Sequence, residues 1–137
     1  MGWKQSDLTP SQFSSITPAA KDVRIKAFQV SRTDTTSTIK MYLPANSSLV
    51  EAVLVVAVTA DSQTSDIVSV GMGTTTNNVI ASQTVTALTV FRNTLPTVMA
   101  AVEGTFSGDI PIRAIYTGVG TAATTGGPWT VLVKYVN

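Results

Sequence analysis

The longest apolar run of the chain, residues 49–58 (LVEAVLVVAV), restricts the possible folds more than any other stretch. It holds one charged residue, Glu51, and neither glycine nor proline. A helix that crosses a bilayer needs about 20 apolar residues, so this run is too short to span one. Its valines and the turn residues on both sides favour a strand buried on both faces over a helix. We therefore expect it to be the central strand of an all-β domain.

Further stretches of strand-forming residues follow at short spacing, with turn residues between them. With the central run, they cover residues 23–30, 38–43, 49–58, 67–70, 79–81, 84–91, 110–117 and 129–136. About eight strands at this spacing predict an antiparallel, jelly-roll-like β-sandwich and argue against a fold that alternates strands with helices. Residues 97–103 fit either a strand or one helical turn.

Two of these stretches show which of their residues face the core. In residues 129–136, Trp129 and Tyr135 share a face with two valines, and we expect that face to be buried. Residues 23–30 begin with an alternation that places Val23 and Ile25, with Ala27, on one face. Arg24 and Lys26 occupy the other face, which predicts a cationic side turned to solvent or to a partner.

Residues 1–22 have the composition of an extended arm that precedes a domain over residues 23–137. Pro10 and Pro18 exclude one continuous helix, and serines and threonines fill the intervals. The large apolar side chains of Trp3, Phe13 and Ile16 are scattered without a period. Such anchors either fold back onto the chain's own body or dock on a neighbouring subunit, and the sequence leaves both open.

The charge of the chain is low and unevenly distributed. Residues 1–40 hold six lysines and arginines against three aspartates, a net charge of +3. Residues 41–137 hold three basic against five acidic residues, a net charge of −2. The basic part has too few cations for a nucleic-acid footprint, and we expect no secretory signal because residues 1–22 lack an apolar h-region. We expect neither nucleic acid nor membrane as a partner.

The sequence argues against an enzyme. It contains no histidine and no cysteine, which removes the commonest general base, the thiol nucleophile and the commonest metal ligands. The glycines near residues 118–127 precede a strand rather than a helix, so they do not form a phosphate-binding loop; they serve turns with positive φ or the close approach of another backbone. We expect no catalytic residue, no metal and no cofactor.

Three carboxylates have an alternative to a plain structural role. Asp61 and Asp66 flank a polar loop that could hold calcium, but the spacing favours a solvated hairpin loop whose side chains cap local amides. Glu51 interrupts the apolar run. It could be half of a catalytic carboxylate pair, although an ion pair with Arg92 or Arg113 is the interpretation we favour.

The order of these features resembles a known group of proteins. Leu43-Pro44-Ala45 opens the apolar run, and an acidic loop with the strand 67–71 follows it. Thr125-Gly126-Gly127 then precedes alternating residues, which are Val131, Val133 and Tyr135. Over residues 39–137 this resembles the small β-sandwich modules of tailed-bacteriophage virions, found in capsid decoration (cement) proteins, head fibres and tail spikes. The chain departs from that pattern where an aromatic residue is common and Ala60-Asp61 stands instead.

The resemblance implies a structural role on the outer surface of a capsid, as a decoration protein that binds the major capsid protein and stabilises its lattice. It also implies a homo-oligomer, with a trimer favoured over a dimer. The candidate contact residues are Trp3, Phe13, Ile16, Arg24 and Lys26. The alternative is a receptor- or glycan-binding module of a head fibre or tail spike, which a solvent-exposed Trp129 would favour.

Overall fold

The computed structural model describes residues 22–61, 65–94, 109–120 and 123–136. These residues form eight strands: β1 (Val23–Val30), β2 (Thr38–Leu43), β3 (Ser48–Val56), β4 (Ser65–Met72), β5 (Ile80–Thr84), β6 (Thr89–Thr94), β7 (Ile110–Val119) and β8 (Trp129–Val136). Within these four ranges there is no helix of the length and apolarity that crossing a membrane requires.

The strands form two antiparallel sheets. The first sheet has the order β1-β8-β3-β6 and the second sheet the order β2-β7-β4-β5. Four of the pairs join strands whose numbers add up to nine: β1 with β8, β2 with β7, β3 with β6 and β4 with β5. This pairing arises when a long antiparallel hairpin rolls up into two facing sheets, which is the jelly roll. The predicted β-sandwich is confirmed.

Most strands lie where the sequence places them. β1, β2 and β8 have the predicted bounds, whereas β3 ends at Val56 and β4 extends beyond residues 67–70 on both sides. Residues 79–81 were expected to form a short edge piece, and β5 does lie at the edge of the second sheet. Residues 97–103 lie outside the described residues.

The prediction of one strand over residues 84–91 is wrong, because β5 ends at Thr84 and β6 begins at Thr89. Val85 explains the difference. Its side chain is fully buried, and its amide donates to the carbonyl of Asp66 at 2.9 Å while its carbonyl accepts from Ala60. A loop residue that contributes to the core gives an apolar pattern that cannot be distinguished from a strand by periodicity.

One hydrophobic core fills the space between the sheets. Every second residue of β8 is buried, beginning with Trp129, as the sequence predicts. Residues of β3, β4 and β7 complete the centre of the core: Leu54, Val56, Val68, Val70, Ile112, Ala114 and Tyr116. Trp129 and Tyr116 stack across the sheets with ring centroids 5.6 Å apart.

The face assignment of β1 is wrong in the sequence interpretation. Val23 and Ile25 are 58% and 65% exposed, whereas Phe28 and Val30 are buried. The register with β8 gives the reason, because Phe28 lies opposite Val131 and Val30 opposite Trp129, on the inner side of the sheet. Side chains alternate along a strand, so the positions of Arg24 and Lys26 share that inner side. The first three apolar residues of β1 therefore lie on the outer side.

The glycines before β8 allow the loop before β8 to lie close to the loop after β3. Gly126 has φ of +101°, and a Cβ on it would lie 2.4 Å from the carbonyl oxygen of Thr59 and 2.7 Å from Cα of Ala60. Gly127 also has a positive φ, +69°, but a Cβ there would meet only the Trp129 ring at 3.4 Å. Both expected reasons for these glycines are thus present: a positive φ at both positions and the close approach of another backbone at Gly126.

Gly126→Ala should therefore destabilise the domain by about 2–4 kcal/mol, because the new methyl group clashes with rigid backbone and also strains φ. Gly127→Ala is the matched control, which carries the φ strain alone and should cost about 1 kcal/mol. Urea unfolding of both variants measures the difference. Equal losses would show that the approach of the two loops does not constrain position 126.

Candidate interaction surface

The outer face of the first sheet carries apolar side chains that the described residues leave exposed. In this article the term outer face denotes the side of the β1-β8-β3-β6 sheet that points away from the core. The register aligns its residues in rows across the strands. Its apolar members are Val23, Ile25, Ala27, Val53, Val55, Val90, Leu132 and Val136.

Exposure increases from the middle of this face to its edges. Val53 in the middle is only 7% exposed, because its neighbours Leu132 and Arg92 flank it in the same row. Ile25 and Val90 on the two edge strands are 65% and 54% exposed. The prediction that residues 49–58 are buried on both faces holds at Val53, while Val55 is half-buried. It is wrong at Val50 and Val58, which are exposed. Exposed apolar sheet faces of this kind are typical of interaction sites.

Three charged side chains cross the middle of the outer face. Glu51 accepts from Arg92 Nη1 at 3.3 Å, which confirms the ion pair favoured at the sequence level. Glu51 also lies directly opposite Lys134 in the register of β3 and β8, yet no described carboxylate lies within 4 Å of the Lys134 amine. The face thus combines an apolar surface with a short row of alternating charge.

Arg24 and Lys26 lie on the other side of β1, at the open end of the sandwich. Lys26 Nζ is 5.9 Å from the centre of the Tyr135 ring, and the Arg24 side chain forms only a long, exposed ion pair with Asp22. β1 is an edge strand, and inward-pointing cations on an edge strand oppose pairing with the edge of another sheet. These residues therefore have a second possible role besides partner contact.

The double substitution Arg24→Thr, Lys26→Val tests the role in edge protection. We expect the folded domain to change in stability by less than about 1 kcal/mol, because both side chains are exposed. Removal of the charges should let β1 pair with other edges, and light scattering should then show open-ended association. A variant that keeps the mass of the unchanged protein would contradict edge protection and leave partner contact as the explanation.

Asp61 joins the loop after β3 to the loop before β8. Its Oδ1 accepts from the amides of Thr124 and Thr125 at 2.8 and 3.1 Å, and its Oδ2 accepts from the Thr124 hydroxyl at 2.7 Å. The hydroxyl and amide donors of these threonines lower the pKa of Asp61 to about 2. The prediction that Asp61 caps local amides of a hairpin loop is wrong, because the amides that it caps belong to a loop distant in sequence and β3 and β4 lie in different sheets.

The stability that Asp61 contributes should depend on pH. A folded-state pKa of about 2, below the usual value, means that this contribution is complete above about pH 4 and is lost as the pH falls through 2. Asp61→Asn should lower the thermal midpoint at pH 7. Towards pH 2, the midpoint of the variant should approach that of the unchanged protein. Thr124→Val, which removes one donor, should show part of the same loss. A difference in thermal midpoint between Asp61→Asn and the unchanged protein that stays constant down to pH 2 would contradict the lowered pKa of Asp61.

Asp66 differs from its expected environment. It lies within β4 with no exposed surface, where its Oδ1 accepts from the Tyr116 hydroxyl, so it is not part of a solvated loop. The Tyr116 oxygen in turn accepts from the amide of Ala123 at 3.2 Å. Burial, together with the hydrogen bond to Asp66, raises the pKa of Tyr116 above its ordinary value. We interpret this buried pair as a structural link between β4, β7 and the loop before β8.

The structure leaves part of the predicted site untested. Trp3, Phe13 and Ile16 lie outside the described residues, so only Arg24 and Lys26 of the five candidate contacts are placed. No group of carboxylates with the geometry of a metal site occurs in the described ranges. The exposure of Ile25 was missed because alternation shows which residues share a face but not which face is buried.

The fold has a counterpart among solved virus structures. A chain of the capsid of Ralstonia phage GP4 is similar to this protein with a TM-score of 0.53, over 88% of each chain and at 20% sequence identity. At that identity the likeness concerns the fold. No protein-family model matches the chain, and no curated protein sequence matches it.

Proposed function

We propose that the chain is a structural virion protein of a tailed bacteriophage, which decorates the outer capsid surface and stabilises the lattice as a cement protein. The observation that carries the proposal is the fold, which it shares over 88% of both chains with a chain from the capsid of Ralstonia phage GP4. Jelly rolls serve widely as viral capsid domains, and also as lectins. The sequence resemblance to decoration modules supports the virion role independently of that fold.

A role without catalysis is part of the proposal. The chain has neither histidine nor cysteine. Asp34 forms an ion pair with Lys40 at 2.5 Å, and Glu51 forms one with Arg92. The carboxylates of Asp61 and Asp66 are held by hydrogen bonds to loop amides and to a tyrosine. These contacts give each of the four groups a structural purpose.

The receptor- or glycan-binding alternative loses its main sequence support. It depended on an exposed Trp129, but this side chain has no exposed surface and its Nε1 donates to the carbonyl of Val58 at 2.7 Å. Tyr116 and Tyr135 are also buried. Tyr42, 52% exposed on the second sheet, is the one tyrosine or tryptophan of the described residues that could stack on a sugar.

The partner in this proposal is the major capsid protein, with further copies of the chain in a homo-oligomer. The arm, residues 1–22, would reach the capsid through Trp3, Phe13 and Ile16, next to Arg24 and Lys26 at the start of the domain. The trimer, which the resemblance favours over a dimer, stays a prediction, and it competes with the dimer that the outer face of the first sheet supports.

Binding to purified empty capsids tests the function. The unchanged protein should bind at a fixed ratio per lattice unit and raise the temperature at which the capsids open. A chain without residues 2–20 should fold but fail to bind. The triple substitution Trp3→Ser, Phe13→Ser, Ile16→Ser keeps the length and charge of the arm and removes only its large apolar side chains. It should also fail to bind, which would assign the contact to these three residues.

The possible outcomes separate the function from the contact residues. If the unchanged protein does not bind capsids, the decoration role is wrong. If it binds and both arm variants bind equally well, decoration stands but the assignment of the arm is wrong. Retention on host cells or glycans in place of capsids would favour the receptor-binding alternative, and Tyr42→Ser would then identify its site.

A further inference from the structure

The outer face of the first sheet is complementary to itself. The sheet has four strands, and its middle line runs between β8 and β3. Lys134 and Glu51 lie opposite each other on the two sides of this line, and so do Leu132 and Val53 in the next row. A positive and a negative charge, beside two apolar residues, are therefore arranged symmetrically about the centre of the face.

We propose that this face binds the same face of a second copy of the chain, about a two-fold axis that runs parallel to the strands between β8 and β3. Such an axis places β8 of one copy over β3 of the other. Lys134 then faces Glu51 of the second copy, and the reciprocal pair forms at the same time. Leu132 faces Val53 of the second copy in the same reciprocal way, so these apolar side chains are covered in both copies.

The position of the axis follows from two independent requirements. The line between β8 and β3 is the only strand boundary about which all four strands of one sheet cover all four of the other. An axis perpendicular to the strands places β8 over β8, and where it passes through the row of Lys134 it places Lys134 over Lys134, which costs energy because the charges are alike. Maximal overlap and charge complementarity thus select the same axis, with the sheets packed in the aligned manner of a sandwich.

The contact area fits a reversible dimer. Four strands of about eight residues give a face of about 500 Å² per copy from standard strand spacings. Two such faces bury about 1,000 Å², near the lower limit for specific association. The face mixes apolar residues with polar ones, among them Gln29, Thr130 and Arg92, and such a mixed composition is usual for interfaces that form reversibly.

The exposed residues at the ends of the face agree with a second copy as the occupant. Ile25 and Val90, on the edge strands β1 and β6, have apolar side chains that are 65% and 54% exposed. Under the proposed axis β1 lies over β6 of the other copy, so both edges are covered. Pairing of two β1 edges is the competing way to join copies, and the cations Arg24 and Lys26 oppose it.

A charge exchange on the full-length chain tests the pairing. Glu51→Lys should place lysine against lysine twice in a dimer, and Lys134→Glu should place glutamate against glutamate twice. Each variant alone should dimerise about tenfold or more weakly than the unchanged chain. An equimolar mixture should restore dimers, because every cross-pair between the two variants is attractive. Sedimentation equilibrium with differently labelled variants measures both effects.

Two further variants test the apolar part. Ile25→Ser should weaken the dimer. Tyr42→Ser is the matched control, since it removes a similarly exposed large side chain from the opposite side of the sandwich and should leave the dimer unchanged. Circular dichroism confirms that all variants are folded.

The proposal is overturned if the unchanged chain is monomeric at all concentrations or forms a trimer, or if the mixture associates no better than its components. The charge variants could have no effect while deletion of residues 2–20 abolishes the dimer. That result would assign dimerisation to the arm and would also overturn the proposal. These measurements contain no capsids, so their outcome is independent of the decoration role.

Discussion

The placement of Trp129 between the sheets is the interaction on which the rest of the structure depends. The ring is fully buried, stacks on Tyr116 of the second sheet, and donates to the carbonyl of Val58 in the loop after β3. Burial of a tryptophan removes on the order of 200 Å² from water, a gross gain of about 5 kcal/mol. Because Trp129 begins β8, its position also fixes the register of a strand that pairs on both sides.

The loops around Trp129 form a continuous set of polar contacts. Gly126 lets the loop before β8 approach the backbone at Thr59, and Asp61 binds the amides of the same loop. Beneath them, Asp66 and Tyr116 connect the buried ends of β4 and β7. These contacts tie the described parts of the loops to each other, whereas the outer face of the first sheet carries apolar side chains that are exposed at its edges. The division suits a protein whose sheet face, rather than a loop pocket, meets its partner.

Much of the fold could be predicted from the sequence because strand formation and core burial leave a local pattern. Alternation in β8 identified its buried face, and the spacing of turns predicted the sandwich. The pattern failed at Val85, a loop residue that fills the core. It failed again at β1, where both faces carry apolar residues and only the pairing with β8 decides which lies inside. The candidate surface was missed for that reason.

The sequence by itself determined that the chain is all-β, that its core includes the apolar run of β3, and that Glu51 needs a basic partner. These conclusions depend on residue chemistry and on periods of two, which are local. The jelly-roll order, the burial of Asp66 and the alignment of Lys134 with Glu51 were decided by the tertiary structure. Each depends on which distant strands become neighbours, and a local pattern holds no information about that pairing.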